Sequence, residues 1–350
     1  MQEGKLKDLW NDTRFMNLRS AFIRGEKPRE CSACWDEEAA GLPSFRTSFV
    51  KDKKIDIEKI ELVEYARVGP VALDLKLNNV CNLKCRICGP QASSQYVKEH
   101  QDRYGVILQD SRYWLSNKIV GTENEDIFNE WANNLQHLEM TGGEPFASSE
   151  NLKIIELLIQ TGNANNISLV INTNGTHFNS KTLTLLAHFK SVILLLSIDD
   201  IEKRFEYQRY PAIWGNVIDN IHKFIEYQGE HNNIQCILFP TVSNYNIFYL
   251  PEYLEWSNAL NMPVVFNILH YSPSKCIKNL PYGIKDILNS RLNRQEFHKI
   301  KEFLNLDGDS GGSFSKFIEE TINMDSYRKQ NFLNTFDIWG KLIMDFNKNE

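Results

Sequence analysis

From residue 71 onward, short apolar runs alternate with amphipathic stretches, and this alternation limits the fold more than any other feature of the chain. The strand candidates are residues 71–77, 135–141, 167–172, 191–198, 235–242 and 263–270. Most are apolar runs bounded by Gly, Asn, Asp or Pro, the pattern of buried parallel strands. Helix candidates lie between them. Ser148 or Ser149 is placed to cap a helix that runs to about Gly162. Trp214, Val217, Ile218, Ile221, Phe224 and Ile225 fall on one apolar face of another. A third covers 248–261. Six repeats of strand then helix predict an α/β domain with a parallel sheet and right-handed crossovers. Periodicity leaves open whether that sheet is doubly wound or an incomplete barrel.

The flanks read differently. Residues 5–25 predict one helix, with Phe15, Leu18 and Phe22 at helical spacing and Gly25 placed to end it. A CSACW element (31–35), a turn around Gly41, Leu42 and Pro43, and a charged connector, KDKKIDIEK, follow. Beyond 285 the chain is polar and predicts helices around a loose DGDSGGS loop at 307–313, a helical cap on the domain. The expected division is a segment 1–50, a linker 51–69, a core 70–285 and a helical extension 286–350. There is no solenoid repeat and no low-complexity tract.

A chain of 350 residues accommodates one large domain and a small appendage. Its net charge of −6 gives no global basic excess, and no basic groove with interleaved aromatics is visible, so no nucleic-acid partner is expected. The first ten residues lack the apolar core of a secretory signal. The strongest apolar run, Val192 to Ile198, is too short to cross a bilayer. No membrane partner and a cytoplasmic location are expected. The seven cysteines stand at 31 and 34, at 81, 85 and 88, and singly at 236 and 276. Clustered cysteines in such a chain read as metal or redox ligands rather than disulfides.

The segment LDLKLNNVCNLKCRICGP (73–90) puts Cys81, Cys85 and Cys88 on one loop after the first strand. Three is the informative number. A structural zinc site wants four closed ligands, and a four-iron four-sulfur cluster usually takes four cysteines. A three-cysteine cluster leaves one iron free for a small molecule. Spacing alone also allows a zinc site completed by His100 or His137. The segment EMTGGEP (139–145) ends the second strand on the same face as that loop. Strand carboxyl ends build the sites of α/β folds. Gly142 and Gly143 let a ligand approach the backbone. Their carbonyls and the Glu144 carboxylate can accept hydrogen bonds from an ammonium group, and Pro145 stiffens the turn.

Together CNLKCRIC (81–88) and TGGEP (141–145), with INTNG (171–175) and LSID (196–199), resemble the radical S-adenosylmethionine (SAM) superfamily over about residues 70–270. The resemblance implies an incomplete (β/α)6 TIM-type barrel, with a 4Fe-4S cluster on Cys81, Cys85 and Cys88. It implies that SAM binds the free iron through its amino and carboxylate groups. A low-potential donor such as flavodoxin or ferredoxin then drives its cleavage to a 5′-deoxyadenosyl radical. That radical abstracts hydrogen from a peptide, carbohydrate or small-molecule substrate. By the same resemblance Gly142, Gly143 and Glu144, with Pro145 in the turn, hold the SAM ammonium. Asn172, Asn174 and Ser197 face its ribose or methionine part, Arg209 in YQRYP pairs with its carboxylate, and TVSNYN (241–246) lines the pocket. Ile87 departs from the pattern, which often has an aromatic residue there. An aliphatic side chain still packs against adenine.

The stretch 5–35 resembles the second half of a SPASM or twitch module, through LWN (9–11), Leu18-Arg19, Gly25-Glu26-Lys27-Pro28 and CxxCW (31–35). Placed before the core, it is similar to a subgroup with an N-terminal twitch domain. An auxiliary iron–sulfur cluster implied by that module would use Cys31 and Cys34, but further cysteines that normally precede the LWN element are missing from this sequence. Cys236 and Cys276 are candidates to assist, or are small apolar core residues. A non-catalytic zinc or iron–sulfur scaffold and an electron-transfer module are the competing classes. The GGEP element counts against both, since neither needs an ammonium site.

Overall fold

A computed structural model describes residues 6–39, 44–52, 64–105 and 118–349. The expected turn at 41–43 and most of the charged connector lie outside the described residues. The chain divides into two units, one of Met1–Val71 with Ile119–Leu135, the other of Ala72–Lys118 with Gln136–Glu350.

In the first unit the single helix expected over 5–25 is two, α1 (Leu6–Trp10) and α2 (Thr13–Ile23). Asp12 separates them. Its backbone is extended, and its Oδ1 accepts the Phe15 N–H at 2.8 Å, starting a fresh helix. Gly25, at φ +73°, follows the helix end in the left-handed region that only glycine adopts cheaply. Then come α3 (Ser32–Ala39) and α4 (Phe45–Asp52). The LWN element and Arg19 form a local hub. The Trp10 indole donates to Val68 O, Asn11 donates to Ala66 O, and Arg19 donates to the carbonyls of Trp10 and Glu64. Trp35 donates to Pro28 O at 3.0 Å and so holds the turn that precedes CxxCW.

The second unit begins with β1 (Ala72–Leu75) and α5 (Ser94–Tyr104). The intervening α6 (Glu125–Ala132) belongs to the first unit. Then follow β2 (His137–Met140), α7 (Ser149–Gln160), β3 (Ser168–Thr173), α8 (Ser180–Leu186), β4 (Ser191–Leu196), α9 (Glu202–Gln208) and α10 (Trp214–Glu230). Next are β5 (Ile234–Leu238), β6 (Thr241–Val242), α11 (Leu250–Ala259) and β7 (Asn267–Ile268). Five strands form one parallel sheet in the order β1-β2-β3-β4-β5. The fifth predicted strand is broken at Pro240, which has no N–H to offer a ladder. Beyond the break β6 pairs in parallel with β7, and Leu238 bridges Val264. All six expected strands are therefore present, and every recorded pairing is parallel.

The strands are not buried on both faces. Leu169, Ile171 and Thr173 of β3, and Val192, Leu194 and Leu196 of β4, are 0–1% exposed, while their neighbours along each strand are half-buried. Side chains alternate faces along a strand. One face therefore packs under helices, among them α10 with its fully buried Val217, Ile221 and Phe224. The other face carries Asp74, Glu139, Asn172 and Ser197 and is only partly covered.

The C-terminal helices are α12 (Tyr282–Arg291), α13 (His298–Leu304), α14 (Ser310–Arg328), α15 (Phe332–Thr335) and α16 (Asp337–Asn349). Of the loop expected at 307–313, residues 307–309 are loop and 310–313 begin α14, where Asp309 accepts the Gly312 N–H. Nor is this region merely polar. Phe314, Phe317, Phe332, Phe336, Trp339 and Ile343 share an apolar core with Tyr207, Tyr245 and Leu250. They are scattered through mostly polar sequence, and helical winding brings them together.

Candidate active site

The three clustered cysteines lie between β1 and α5, on a loop tied down at both ends. Ser93 caps α5 and donates through its hydroxyl to Leu83 O at 2.6 Å. Asn78 donates to Ser148 Oγ at 2.7 Å, and Ser148, of the two serines expected as candidates, caps α7. The starts of two helices thereby fix the loop. Around Cys85 the ties are closer. The Lys84 N–H donates to Tyr210 O at 2.6 Å, the Arg86 N–H to Gln208 O at 2.8 Å, and the Tyr96 hydroxyl to Cys85 O at 2.7 Å.

Cys85 is buried, and Cys81 and Cys88 are half-buried. Burial pushes the Cys81 thiol up to about 12, against the Leu83 N–H that donates to its sulfur at 3.4 Å. The Cys88 thiol donates to Cys85. That hydrogen bond lowers Cys85 below a free thiol and raises Cys88 well above one. Each outer residue aimed at a sulfur is a donor. Asn174 Nδ2 is 4.0 Å from Cys81 Sγ, and Arg209 Nη1 is 4.0 Å from Cys85 Sγ. Donors directed at cysteine sulfurs suit thiolates, and tune a cluster held by them.

The GGEP turn packs against this loop, and the glycines have a more demanding role than ligand approach. A Cβ on Gly143 would stand 2.0 Å from Val80 O, and one on Gly142 would stand 2.6 Å from Asn78 O. The cysteine loop itself fills the space that a side chain would need. The Gly143 and Glu144 N–H groups donate to Asn78 O and Val80 O. Glu144 is 1% exposed and accepts from Thr173 Oγ1 at 2.8 Å, the Asn174 N–H at 2.7 Å and the Phe146 N–H at 3.1 Å. Burial raises its pKa, and these donors pull the other way. A carboxylate has about four acceptor positions, so one remains. Pro145 begins a short 3-10 turn, which Glu144 caps.

The ends of β3 and β4 complete the rim. Asn174 donates to Asn82 Oδ1 at 2.9 Å and so joins the cysteine loop. Asn172 donates to Glu139 Oε1 at 3.3 Å on the half-open face, and the half-buried Ser197 follows β4 there. Arg209 is 7% exposed. Asp199 accepts from its Nε at 2.8 Å and its Nη2 at 3.0 Å. Burial alone would lower its pKa, but Asp199 and then Cys85 raise it above that of a free arginine. Within TVSNYN, Asn246 donates to Asp199 O and Thr241 O, and Asn244 to Ser274 O, so both side chains stitch backbone together.

The structure thus brings Cys81, Cys85, Cys88, Gly142, Gly143, Glu144, Asn174 and Arg209 to one end of the sheet, and sets Asn172 and Ser197 on its half-open face. It does not bring Cys236 there. That thiol is buried in β5, donates to Phe224 O and is pushed up to about 12 by burial. Cys276 is 0% exposed. Cys31 lies at the end of a 3-10 turn and Cys34 on α3 in the other unit. Among the described residues no three His, Cys, Asp or Glu side chains form a single-ion site, so neither His100 nor His137 completes one with the cysteines. A single zinc ion needs every thiolate about 2.3 Å away. A cubane accepts thiolates that are further apart, because each binds a different iron. Three thiols on one loop, with N–H donors aimed at two of their sulfurs, are a donor set that fits an iron–sulfur cluster. Sequence reading missed Asp199, Arg86 and Asp325. Asp199 was legible as the charged residue closing LSID, and the other two carry no local signal.

Residues 75–247, just under half of the chain, match the family model described as the Radical SAM superfamily. A GTP 3′,8-cyclase of Haemophilus ducreyi is 23% identical over 189 residues, 53% of this chain and 48% of that protein. The chain therefore spans about half the length of the curated relative it matches. Among solved structures, native anSMEcpe with bound AdoMet is 18% identical at a TM-score of 0.43, with 63% of this chain and 62% of that one covered. Streptococcus suis SuiB bound to the precursor peptide SuiA is 14% identical at 0.44, with 83% and 64% covered.

Proposed function

We propose, on the premise that residues 75–247 carry a radical SAM domain, that the protein reductively cleaves SAM at a 4Fe-4S cluster held by Cys81, Cys85 and Cys88. The observation that carries this reading is the Gly143–Val80 approach, which leaves no room for a Cβ and joins the three-cysteine loop to the GGEP turn. The cluster and SAM, when bound, supply a 5′-deoxyadenosyl radical on one-electron reduction. The chain's own residues do the rest. The carbonyls of Gly142 and Gly143 and the spare acceptor of Glu144 receive the methionine ammonium. Asn174 and Arg209 direct N–H groups toward the cysteine sulfurs, and Arg209 offers its remaining Nη1 edge to a carboxylate. Asn172 and Ser197 line the half-open face toward the ribose or methionine part.

The parallel strands form an incomplete (β/α)6 barrel in this reading, with the half-open face as its lumen. The N-terminal segment is a partial twitch-like module without a cluster of its own. The electron donor is a low-potential protein such as flavodoxin or ferredoxin. The substrate is a peptide, carbohydrate or small molecule that presents a C–H bond in the lumen.

The test is anaerobic reconstitution, reduction with dithionite, addition of SAM, chromatography for 5′-deoxyadenosine, and iron counting on the same sample. Cleavage with iron near four per chain, lost in Cys85→Ala, supports the reading. Bound zinc with intact SAM would overturn it.

A further inference from the structure

Both residues that flank Cys85 are tied to the last turns of α14, Arg86 directly and Lys84 through Glu99 of α5. Arg86 is 0% exposed, and its Nη2 donates to Asp325 and to Gln330 Oε1, 239 and 244 residues along the chain. Its guanidinium lies 3.6 Å from the Tyr207 ring centre, and its Nε donates to Tyr207 O. Asp325 has two further partners. It also accepts the Tyr207 hydroxyl at 2.7 Å and the Phe332 N–H at 2.6 Å. On the other side, Lys84 pairs with Glu99 at 3.2 Å, and Glu99 accepts a two-pronged pair from Arg328.

We infer that the end of α14 is a positioning clamp on the second cluster ligand, acting through Arg86 and Lys84. The inference rests on the cluster reading above. A buried guanidinium cannot leave its carboxylate without stranding a charge in a dry site. The Arg86 backbone therefore stays where Asp325 holds it. Through the Arg86 and Lys84 N–H groups, Cys85 is registered against residues 207–210, the segment that carries Arg209. Arg86 and Asp325 are not among the groups that hold the cluster or SAM in that reading, and they act through the backbone beside Cys85, so they are positioning residues. The C-terminal helices, which carry no motif, thereby become part of the cluster site.

The test compares wild type with Asp325→Asn and Arg86→Lys, all reconstituted without oxygen. One readout is the rate at which a ferrous chelator removes iron. The other is the electron paramagnetic resonance signal of the reduced cluster, with and without SAM. Outer partners of metal ligands typically matter by about 10- to 100-fold in metal affinity. Asp325→Asn should lose iron faster by a factor in that range and show an altered signal, while its circular dichroism stays native. Arg86→Lys, which keeps the charge, should fall between. A folded Asp325→Asn with the wild-type iron-loss rate and signal overturns the clamp. Should Asp325→Asn not fold, Tyr207→Phe removes only the hydroxyl on Asp325. A faster loss supports the clamp there and a wild-type rate overturns it. If wild type itself holds no iron–sulfur cluster, the radical SAM reading fails. If wild type holds one and the variants match it, only the clamp fails.

Discussion

Asp199 grips Arg209 through Nε and Nη2, at 2.8 and 3.0 Å, and leaves Nη1 4.0 Å from the Cys85 sulfur. The same carboxylate accepts the Thr241 N–H at 2.8 Å, so it also anchors the break between β5 and β6. Asp199→Asn should strand the buried guanidinium and cost about 3–5 kcal/mol of stability. Urea unfolding of the apo-protein measures this. A loss below about 1 kcal/mol, the scale of an exposed pair, would show that water reaches the site.

Gly143 and Gly215 give opposite expectations for one substitution. Gly143→Ala drives a Cβ to 2.0 Å from Val80 O, where rigid backbone cannot yield, whereas nothing lies within 4 Å of a Cβ on Gly215 in α10. The first should destabilise by at least about 1–3 kcal/mol and reduce iron incorporation. The second should be neutral or stabilise by up to about 1 kcal/mol. Melting curves and iron counts on both variants decide the matter, and normal iron in Gly143→Ala would refute the close approach.

Asp200 is the clearest source of pH dependence. It is 1% exposed, and burial pushes its carboxyl up to about 7 from an ordinary 3.8, despite Arg204 beside it. Its folded pKa is raised, so the folded state binds the proton more tightly. That contribution is complete below the unfolded value and is lost as pH rises through about 7. Stability should therefore decline between pH 4 and 7 with a slope of up to about 1.4 kcal/mol per unit from this group. Asp200→Asn should flatten that slope. An unchanged pH profile in the variant would assign the dependence elsewhere.

Cys31 and Cys34 give a negative expectation. Cys31 has a raised pKa from burial and then from Cys34, and no third ligand joins the pair among the described residues. Changing both to alanine should leave iron per chain and 5′-deoxyadenosine yield close to wild type. Loss of about half the iron in the folded variant would instead reveal an auxiliary cluster.

Local pattern determined much of this protein. Runs of apolar residues placed six parallel strands, the Ser148-Ser149 pair marked the start of α7, and the spacing of Cys81, Cys85 and Cys88 next to a Gly-Gly-Glu-Pro turn pointed to the candidate site. Each signal spans few residues, because strand alternation, helix capping and loop geometry act over a turn or two of chain. Even locally the reading erred where one side chain decided the outcome, as when Asp12 split the first helix. Tertiary structure alone decided what Gly143 is for, since the Val80 carbonyl that excludes a Cβ comes from another strand's loop. It alone paired Arg209 with Asp199, and Arg86 with Asp325 across 239 residues. No periodicity encodes such pairs. A buried charge must find a partner wherever packing brings one, and packing is a property of the whole folded chain.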